Sequence, residues 1–341
     1  MDSFDSSKQP QKAKITGLYR HAVKGLSADS LQQVVVANPY DTFPDDRRFA
    51  LLYEKHEGKW QEEANQKTPG WLHKENFLCA FTDPHLMAKY EASYRMVGPM
   101  ESTTTKMTFG LPWDTTSSSS TRDEKSASEE SVQRILSLKD RASQNIVWGP
   151  EDLATEDGRA SLGDFFSQQS GHVVQCISSD ASRASSHPHQ FGNTSSGWKH
   201  QQNTRTIHLI NANTVQSLAE ACQTPLDPTR FRPNIVVEGW EPWEEFKWIG
   251  KRIQIQCSTS SNNNKNVKDS TTTTTTMNLL ILSKTVRCAG VSVDPLQPDV
   301  VLDIPKLLTQ HFPEHGPYIG VYAVIEDPGV LSLGDEISFL S

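Results

Sequence analysis

The stretch Leu279-Leu280-Ile281-Leu282-Ser283-Lys284-Thr285-Val286-Arg287-Cys288 decides how this chain reads. Four consecutive large aliphatic residues read as an apolar strand. Thr285 to Cys288 carries the strand to its end, and Ala289-Gly290 turns it into a loop. A thiol is thereby presented where a rigid element gives way to a connection, a position from which functional groups often act. A thiolate there is a soft ligand for a transition metal or a nucleophile, and nearby positive charge would lower its pKa. From spacing alone an inert buried cysteine is the favoured reading.

Upstream, Arg252 to Gln256 reads as the hairpin partner of Leu279 to Leu282. The run from Ser258 to Thr276, with its Asn cluster and six consecutive threonines, reads as an expanded loop between them, since inserts at hairpin tips destabilise little. Asn234 to Glu238 is a further strand. Ile207 to Ile210 is another, followed by Asn211 as N-cap of a helix whose Val215, Leu218, Ala219 and Cys222 fall at i, i+3, i+4 and i+7. Downstream, Asp303 caps a helix with Pro305 in its first turn. A strand Ile319 to Ile325, the turn Asp327-Pro328-Gly329 and a strand ending at Phe339 close the chain.

The first part is also strand-rich, with Ile15 to Arg20, a break at Val23-Lys24-Gly25, Leu31 to Ala37, Arg48 to Tyr53 and Tyr94 to Val97. Short helices are expected at Pro84 to Tyr90 and Ala160 to Gln168, and a strand at His172 to Ile177. The fold class is therefore mainly β with few peripheral helices, in two barrel-like units covering residues 14–110 and 146–341. Three polar segments, 114–131, 179–204 and 258–276, are expected as low-complexity loop inserts.

The 341 residues are 22% charged and 35% hydrophobic, with a net charge of −8. That composition excludes a wholly disordered chain and argues against a nucleic-acid binder, which needs a concentrated basic face. No apolar run is long enough to cross a membrane as a helix, and the opening residues are acidic and polar, so a cytoplasmic protein without a membrane anchor is expected. The five cysteines are scattered with no C-x-x-C pair, which signals neither a disulfide framework nor a zinc knuckle. His208 and His311 have no ligand partner at helical or hairpin spacing. No Gly-rich phosphate loop, G-x-S-x-G elbow or pyridoxal-site lysine is present.

Basic residues recur at strand edges: Lys24 in its turn, Arg47 and Arg48 after Asp45-Asp46, and Arg230 and Arg232 before Pro233-Asn234. Lysine and arginine presented together from loops can clamp a phosphate, and a solvated charge run is the plain alternative.

Taken in order, these motifs resemble the MOSC (molybdenum cofactor sulfurase C-terminal) family with its N-terminal β-barrel partner, related to the amidoxime-reducing components. Val23-Lys24-Gly25 is similar to the family's PVKG/S turn, and Asp46-Arg47-Arg48-Phe49-Ala50-Leu51 to its DRRFAL strand. Trp71 to Leu78 is similar to a W-L-x-K-x-x-F-L segment, Arg230 to Val237 to the RFRPN strand, and Thr285 to Pro295 to the RC-x6-DP segment. Gly320-Val321-Tyr322, Pro328-Gly329 and Gly334-Asp335 are similar to the family's closing marks.

The resemblance implies a molybdenum cofactor (Mo-molybdopterin) with Cys288 as metal ligand and catalytic residue. It further implies Lys24, Arg47, Arg232 and Asn234 as cofactor contacts, and Thr194 and Ser195 in the match to an Asp-Thr-Ser segment. The implied activity is oxidoreductase chemistry, the reduction of N-hydroxylated small molecules by oxygen transfer from nitrogen to molybdenum. A non-catalytic cofactor or persulfide carrier is the alternative. A separate electron donor is implied, a b-type cytochrome or ferredoxin-like protein with its reductase. Pyridoxal phosphate is tied to the family only through a desulfurase domain for which no segment here reads. Gly25 stands where the amidoxime reducers have serine, and Asn193 where their acidic residue lies.

Overall fold

The computed structural model describes residues 13–64, 72–98, 132–179, 191, 205–259 and 273–339. The expected insert 114–131 lies outside these, as do 180–190, 192–204 and 260–272 of the other two. In chain order the strands are β1 (Ala13–Arg20), β2 (Asp29–Ser30), β3 (Gln33–Val36), β4 (Phe49–Tyr53), β5 (Phe77–Leu78), β6 (Tyr90–Val97), β7 (Gln133–Asp140), β8 (Ile146–Asp152), β9 (Val174–Ser178), β10 (Ile207–Asn211), β11 (Ile235–Glu238), β12 (Arg252–Thr259), β13 (Thr273–Val286), β14 (Tyr318–Ile325), β15 (Gly329–Ser332) and β16 (Glu336–Phe339). The helices are α1 (Glu57–Ala64), α2 (Pro84–Lys89), α3 (Glu156–Ser170), α4 (Ala212–Ala221) and α5 (Ile304–His311).

Seven strands close into a barrel in the order β1-β11-β10-β14-β13-β12-β16 and back to β1. Only β10 and β11 pair in parallel, and their connection runs through α4. Alternate residues of each strand point inward, so Ile15, Leu209, Ile235, Ile255, Leu279, Ile281, Val321, Ala323 and Ile337 fill one continuous interior. Ile210, Val236 and Ile319 point outward and are covered by α4 and α5 through Val215, Leu218, Ile304 and Leu308. Closure leaves no long unpaired edge among these strands.

The second unit contains two three-stranded antiparallel sheets, β5-β4-β9 and β6-β7-β8. They share a core in which Phe49, Leu51, Leu78 and Val174 meet Tyr90, Tyr94, Leu136, Leu138 and, from α3, Leu162 and Phe166. Strand pairing crosses the linear order of the chain. β1 belongs to the barrel of the late strands, and β4 pairs with β9, some 120 residues later, with Leu51 opposite Cys176.

Several expectations need correction. β7 was not anticipated, because Arg134, Lys139 and Asp140 interrupt its apolar alternation next to a polar run. α3 starts earlier than Ala160, because Thr155 caps it by accepting from the Gly158 N–H at 3.1 Å. The polar segment 258–276 is not all loop. Ser258 and Thr259 pair with Thr274 and Thr273, extending the β12–β13 hairpin, as β-branched threonine favours a strand whatever its polarity.

Candidate functional site

A cleft of about 200 Å³ opens where the barrel meets the second unit. Five cations line it, Lys24, Arg47, Lys74, Arg232 and Arg287, together with Cys79, His208, Asn234, Cys288 and Tyr322, and no carboxylate is among the described lining residues. The structure thus brings Lys24, Arg47, Arg232, Asn234 and Cys288 together, although 264 positions separate the first from the last. Thr194 and Ser195 lie outside the described residues.

Lys24 is placed by the turn after β1. Its N–H donates to the Phe49 carbonyl at 2.8 Å, and the next residue, Gly25, has φ +97° and passes so close to Cys79 that a Cβ would lie 2.7 Å from the Cys79 Cα. A side chain there would both clash and strain the backbone. Burial, opposed by Cys79 and reinforced by Arg47, Arg232 and Lys74, lowers the Lys24 pKa to about 8. The amine sits over the Phe77 ring at 5.3 Å and pairs with no carboxylate among the described residues.

The acidic-basic cluster sorts into two functions. Asp45 accepts from Arg48 Nη1 at 2.8 Å, Arg134 Nε at 3.0 Å and the Tyr94 hydroxyl at 2.7 Å, which anchors the turn to β6 and β7. Asp46 accepts from the His21 N–H at 2.8 Å and pairs with Arg47 Nη1. Arg47 alone of the four reaches the cleft, where its Nη2 donates to the Arg232 carbonyl at 3.2 Å.

Arg232 adopts φ +55° and donates from Nη1 to the Gly25 carbonyl at 3.2 Å, joining the two basic turns. Burial and the neighbouring Arg47 push its pKa down to about 10, so it stays charged at neutral pH. Asn234 is buried, and its amide is committed to the scaffold. Its Oδ1 accepts from the His208 N–H at 3.0 Å and its Nδ2 donates to the Tyr19 carbonyl at 3.2 Å, locking β10, β11 and β1.

Arg230 is fully buried and faces away, donating to Val291 O and Asp294 Oδ2, both at 2.9 Å. It fixes the loop that follows Cys288.

β13 ends at Val286 after two register irregularities against β14. Strict alternation therefore stops, and both Arg287 and Cys288 reach the cleft. Cys288 is partly buried, extended at φ −128°, and its thiol caps no helix. Arg287 donates from Nη1 to the Phe231 carbonyl at 2.8 Å and lies with Nη2 3.3 Å from His208 Nε2. Its Nε is buried with no hydrogen-bond partner among the described residues.

Sequence reasoning set His208 aside and gave Arg287 no role. The available signal was its place beside Cys288, together with Gly320, φ +74°, where a Cβ would lie 2.5 Å from His208 Nε2. Lys74, the lysine of the W-L-x-K-x-x-F-L match, and Cys79 were likewise given no role.

The donor set suits a phosphate-bearing cofactor held at a soft metal. A cation cluster without lining carboxylates, an orphaned buried guanidinium N–H and a free thiol at a strand end are complementary to an anion and to a thiolate-bound metal. Among the described residues there is no group of three or more His, Cys, Asp and Glu able to hold a metal by themselves. No described helix is long and apolar enough to cross a membrane.

These features define a β-barrel protein with a basic cleft that exposes one strand-end cysteine. Residues 196–338 match the family model of the MOSC domain. The family is associated with binding of the molybdenum cofactor. The matched stretch holds Arg232, Asn234, Arg287 and Cys288, while Lys24, Arg47 and Lys74 precede it. Two solved structures are similar to the chain. One is the YUAD protein from Bacillus subtilis, 10% identical, covering 96% of this chain and 94% of that one at a TM-score of 0.34. The other is YiiM from Geobacillus stearothermophilus, 16% identical, covering 40% of this chain and 54% of that one at a TM-score of 0.27. Likenesses this slight carry nothing about the chemistry. Curated protein sequences give no match.

Proposed function

We propose that this chain binds Mo-molybdopterin between its two units and reduces N-hydroxylated small molecules. The observation that carries the reading is Cys288, a free, partly buried thiol at the end of β13 in a cleft whose described lining includes five cations and no carboxylate. Lys24, Arg47 and Arg232 would hold the phosphate, drawn together by the Arg47–Arg232 and Arg232–Gly25 bonds. Cys288 would supply the metal's thiolate. When bound, the cofactor supplies two-electron oxygen-transfer chemistry.

In the net reaction the N–O bond of the substrate breaks and its oxygen leaves as water. Two protons and two electrons are consumed, the electrons coming from a separate donor protein such as a b-type cytochrome or ferredoxin-like carrier. The protein's own part is to orient: a fixed cation cluster loses no reorganisation energy on meeting an anion, and a cleft of this size limits bulk water around the reacting groups.

Quantifying molybdenum and pterin in the purified full-length protein, then assaying it with a chemical reductant and a panel of hydroxylamines and amidoximes, tests the reading. Stoichiometric cofactor with turnover supports it. Fully metallated protein without turnover removes the reductase, and a persulfide on Cys288 in metal-free protein favours a sulfur carrier instead.

A further inference from the structure

We propose that the cleft is built to hold two anions at once, the cofactor phosphate at Lys24, Arg47 and Arg232, and a small anionic substrate, a carboxylate or comparable oxyanion, at Arg287 beside Cys288. The substrate half rests on the cofactor reading above. The two-anion half rests on charge and geometry alone.

Of the five lining cations only Arg47 is paired, to Asp46. Lys24, Lys74, Arg232 and Arg287 meet no carboxylate among the described residues. Lys74 instead lies over the Phe81 ring at 3.7 Å and Lys24 over the Phe77 ring. A phosphate brings about two negative charges and a Cys288 thiolate one more, so about one of those four positive charges stays uncompensated when both are present. Like charges crowded in a partly desolvated cleft repel strongly, and in a protein of net charge −8 their concentration here is local rather than a feature of the whole surface.

The cations also come from different elements, Arg287 from the end of β13 and Lys24, Arg47 and Arg232 from turns elsewhere. His208 links two of these elements, with Nδ1 3.4 Å from the Arg232 carbonyl and Nε2 3.3 Å from Arg287 Nη2. Because Arg287 can only donate, Nε2 accepts and Nδ1 carries the proton toward the carbonyl. Burial and the neighbouring arginines keep this imidazole neutral, its pKa well below the usual value. A neutral ring therefore lies between the Arg232 main chain and the guanidinium of Arg287, the residue next to Cys288. Arg287 also interacts with the Tyr322 side chain, yet its buried Nε–H has no hydrogen-bond partner among the described residues, so its donors are not exhausted by the scaffold. No second metal or redox step is involved, because the substrate anion is bound and not transformed at this group.

The test is the stoichiometry of inorganic phosphate on the full-length chain produced without cofactor, measured by equilibrium titration. The wild type should bind two phosphates. Arg287→Gln should lose one site or weaken it at least tenfold, Lys24→Gln should lose the other, and Arg287→Lys, which keeps the charge, should retain both, with thermal melts reporting the fold of each variant. A single site in the wild type, or two sites surviving in folded Arg287→Gln, overturns the proposal. In the cofactor-loaded protein, carboxylated N-hydroxy compounds should show a KM at least tenfold below that of uncharged analogues, an advantage lost in Arg287→Gln. Two phosphate sites in a chain that never takes up pterin would defeat the cofactor reading and leave the two-anion cleft intact. One site in a chain that turns over uncharged N-hydroxy compounds would do the reverse.

Discussion

Arg287 and His208 share a hydrogen bond of 3.3 Å across the cleft, joining the end of β13 to β10. The contact ties an arginine next to the strand-end thiol to a buried imidazole whose own main chain is held by Asn234. The orientation of the cysteine's neighbour is thereby set by the barrel wall and not by the loop that follows it.

Cys288→Ser should strip molybdenum from the purified protein, or change its spectrum, while the melting temperature stays within a few degrees. The hydroxyl is a hard, protonated donor in place of a soft thiolate. Cys257→Ser should behave oppositely, since that side chain is fully buried in the barrel interior. It should lose about 1–3 kcal/mol of stability and leave the metal alone. Metal analysis and denaturant melts of both variants check the pair.

Asp294→Ala should destabilise the protein by about 3–5 kcal/mol, because it leaves the wholly buried Arg230 charge without its partner. The same carboxylate accepts from the Leu296 and Gln297 N–H groups at 2.8 and 3.1 Å. Faster amide exchange after Cys288 than elsewhere in the barrel should accompany the loss.

Gly25→Ala should lower stability by about 1–3 kcal/mol through its left-handed φ, with the clash against Cys79 adding to it. The displaced Lys24 should weaken phosphate binding. A variant with unchanged melting temperature and unchanged phosphate affinity would contradict the tight turn described here.

Stability should fall at both ends of the mildly acidic to neutral range. His21 and His208 are held neutral by burial, with pKa values well below ordinary. The unfolded chain therefore binds more protons below about pH 6.5, and stability drops by about 1.4 kcal/mol per pH unit for each. Glu245, buried with a pKa raised to about 7, acts in the other direction. The folded chain binds its proton more tightly, so this group's contribution is full below about pH 4.5 and is lost by about pH 7, on the order of 3 kcal/mol in all. Denaturant melts between pH 5 and 8 should show a flatter neutral limb in Glu245→Gln, with the acid limb kept.

Local signals served well where one element decides the matter. Asn211 and Asp303 cap α4 and α5 as their residue types suggest, and the aliphatic run of β13 forms a barrel strand with Leu279 and Ile281 facing the interior, while Leu280 and Leu282 are half-buried on the other face. The basic turns were visible as charge at strand edges. Which cation turns inward was not visible, because Arg47 and Arg48 differ only in whether Asp46 or Asp45 is within reach, a tertiary fact. Asn234 carried the same ambiguity, since an amide that satisfies a barrel wall looks in sequence like one that waits for a ligand. Lys74 and Cys79 depend on the approach of Gly25 from another turn, and no spacing rule spans that distance.

The pairing of β1 with both β11 and β16 reaches beyond the static fold. The stretch from 196 to 338 holds six of the seven staves and can form only an open sheet, with one side of β11 and one of β16 left as bare hydrogen-bonding edges. During synthesis the first stave emerges early and must wait for the last, so the barrel cannot be sealed until nearly the whole chain exists. Because the turn carrying Lys24 follows directly from that first stave, the cation cluster and the closed barrel come into being in the same event.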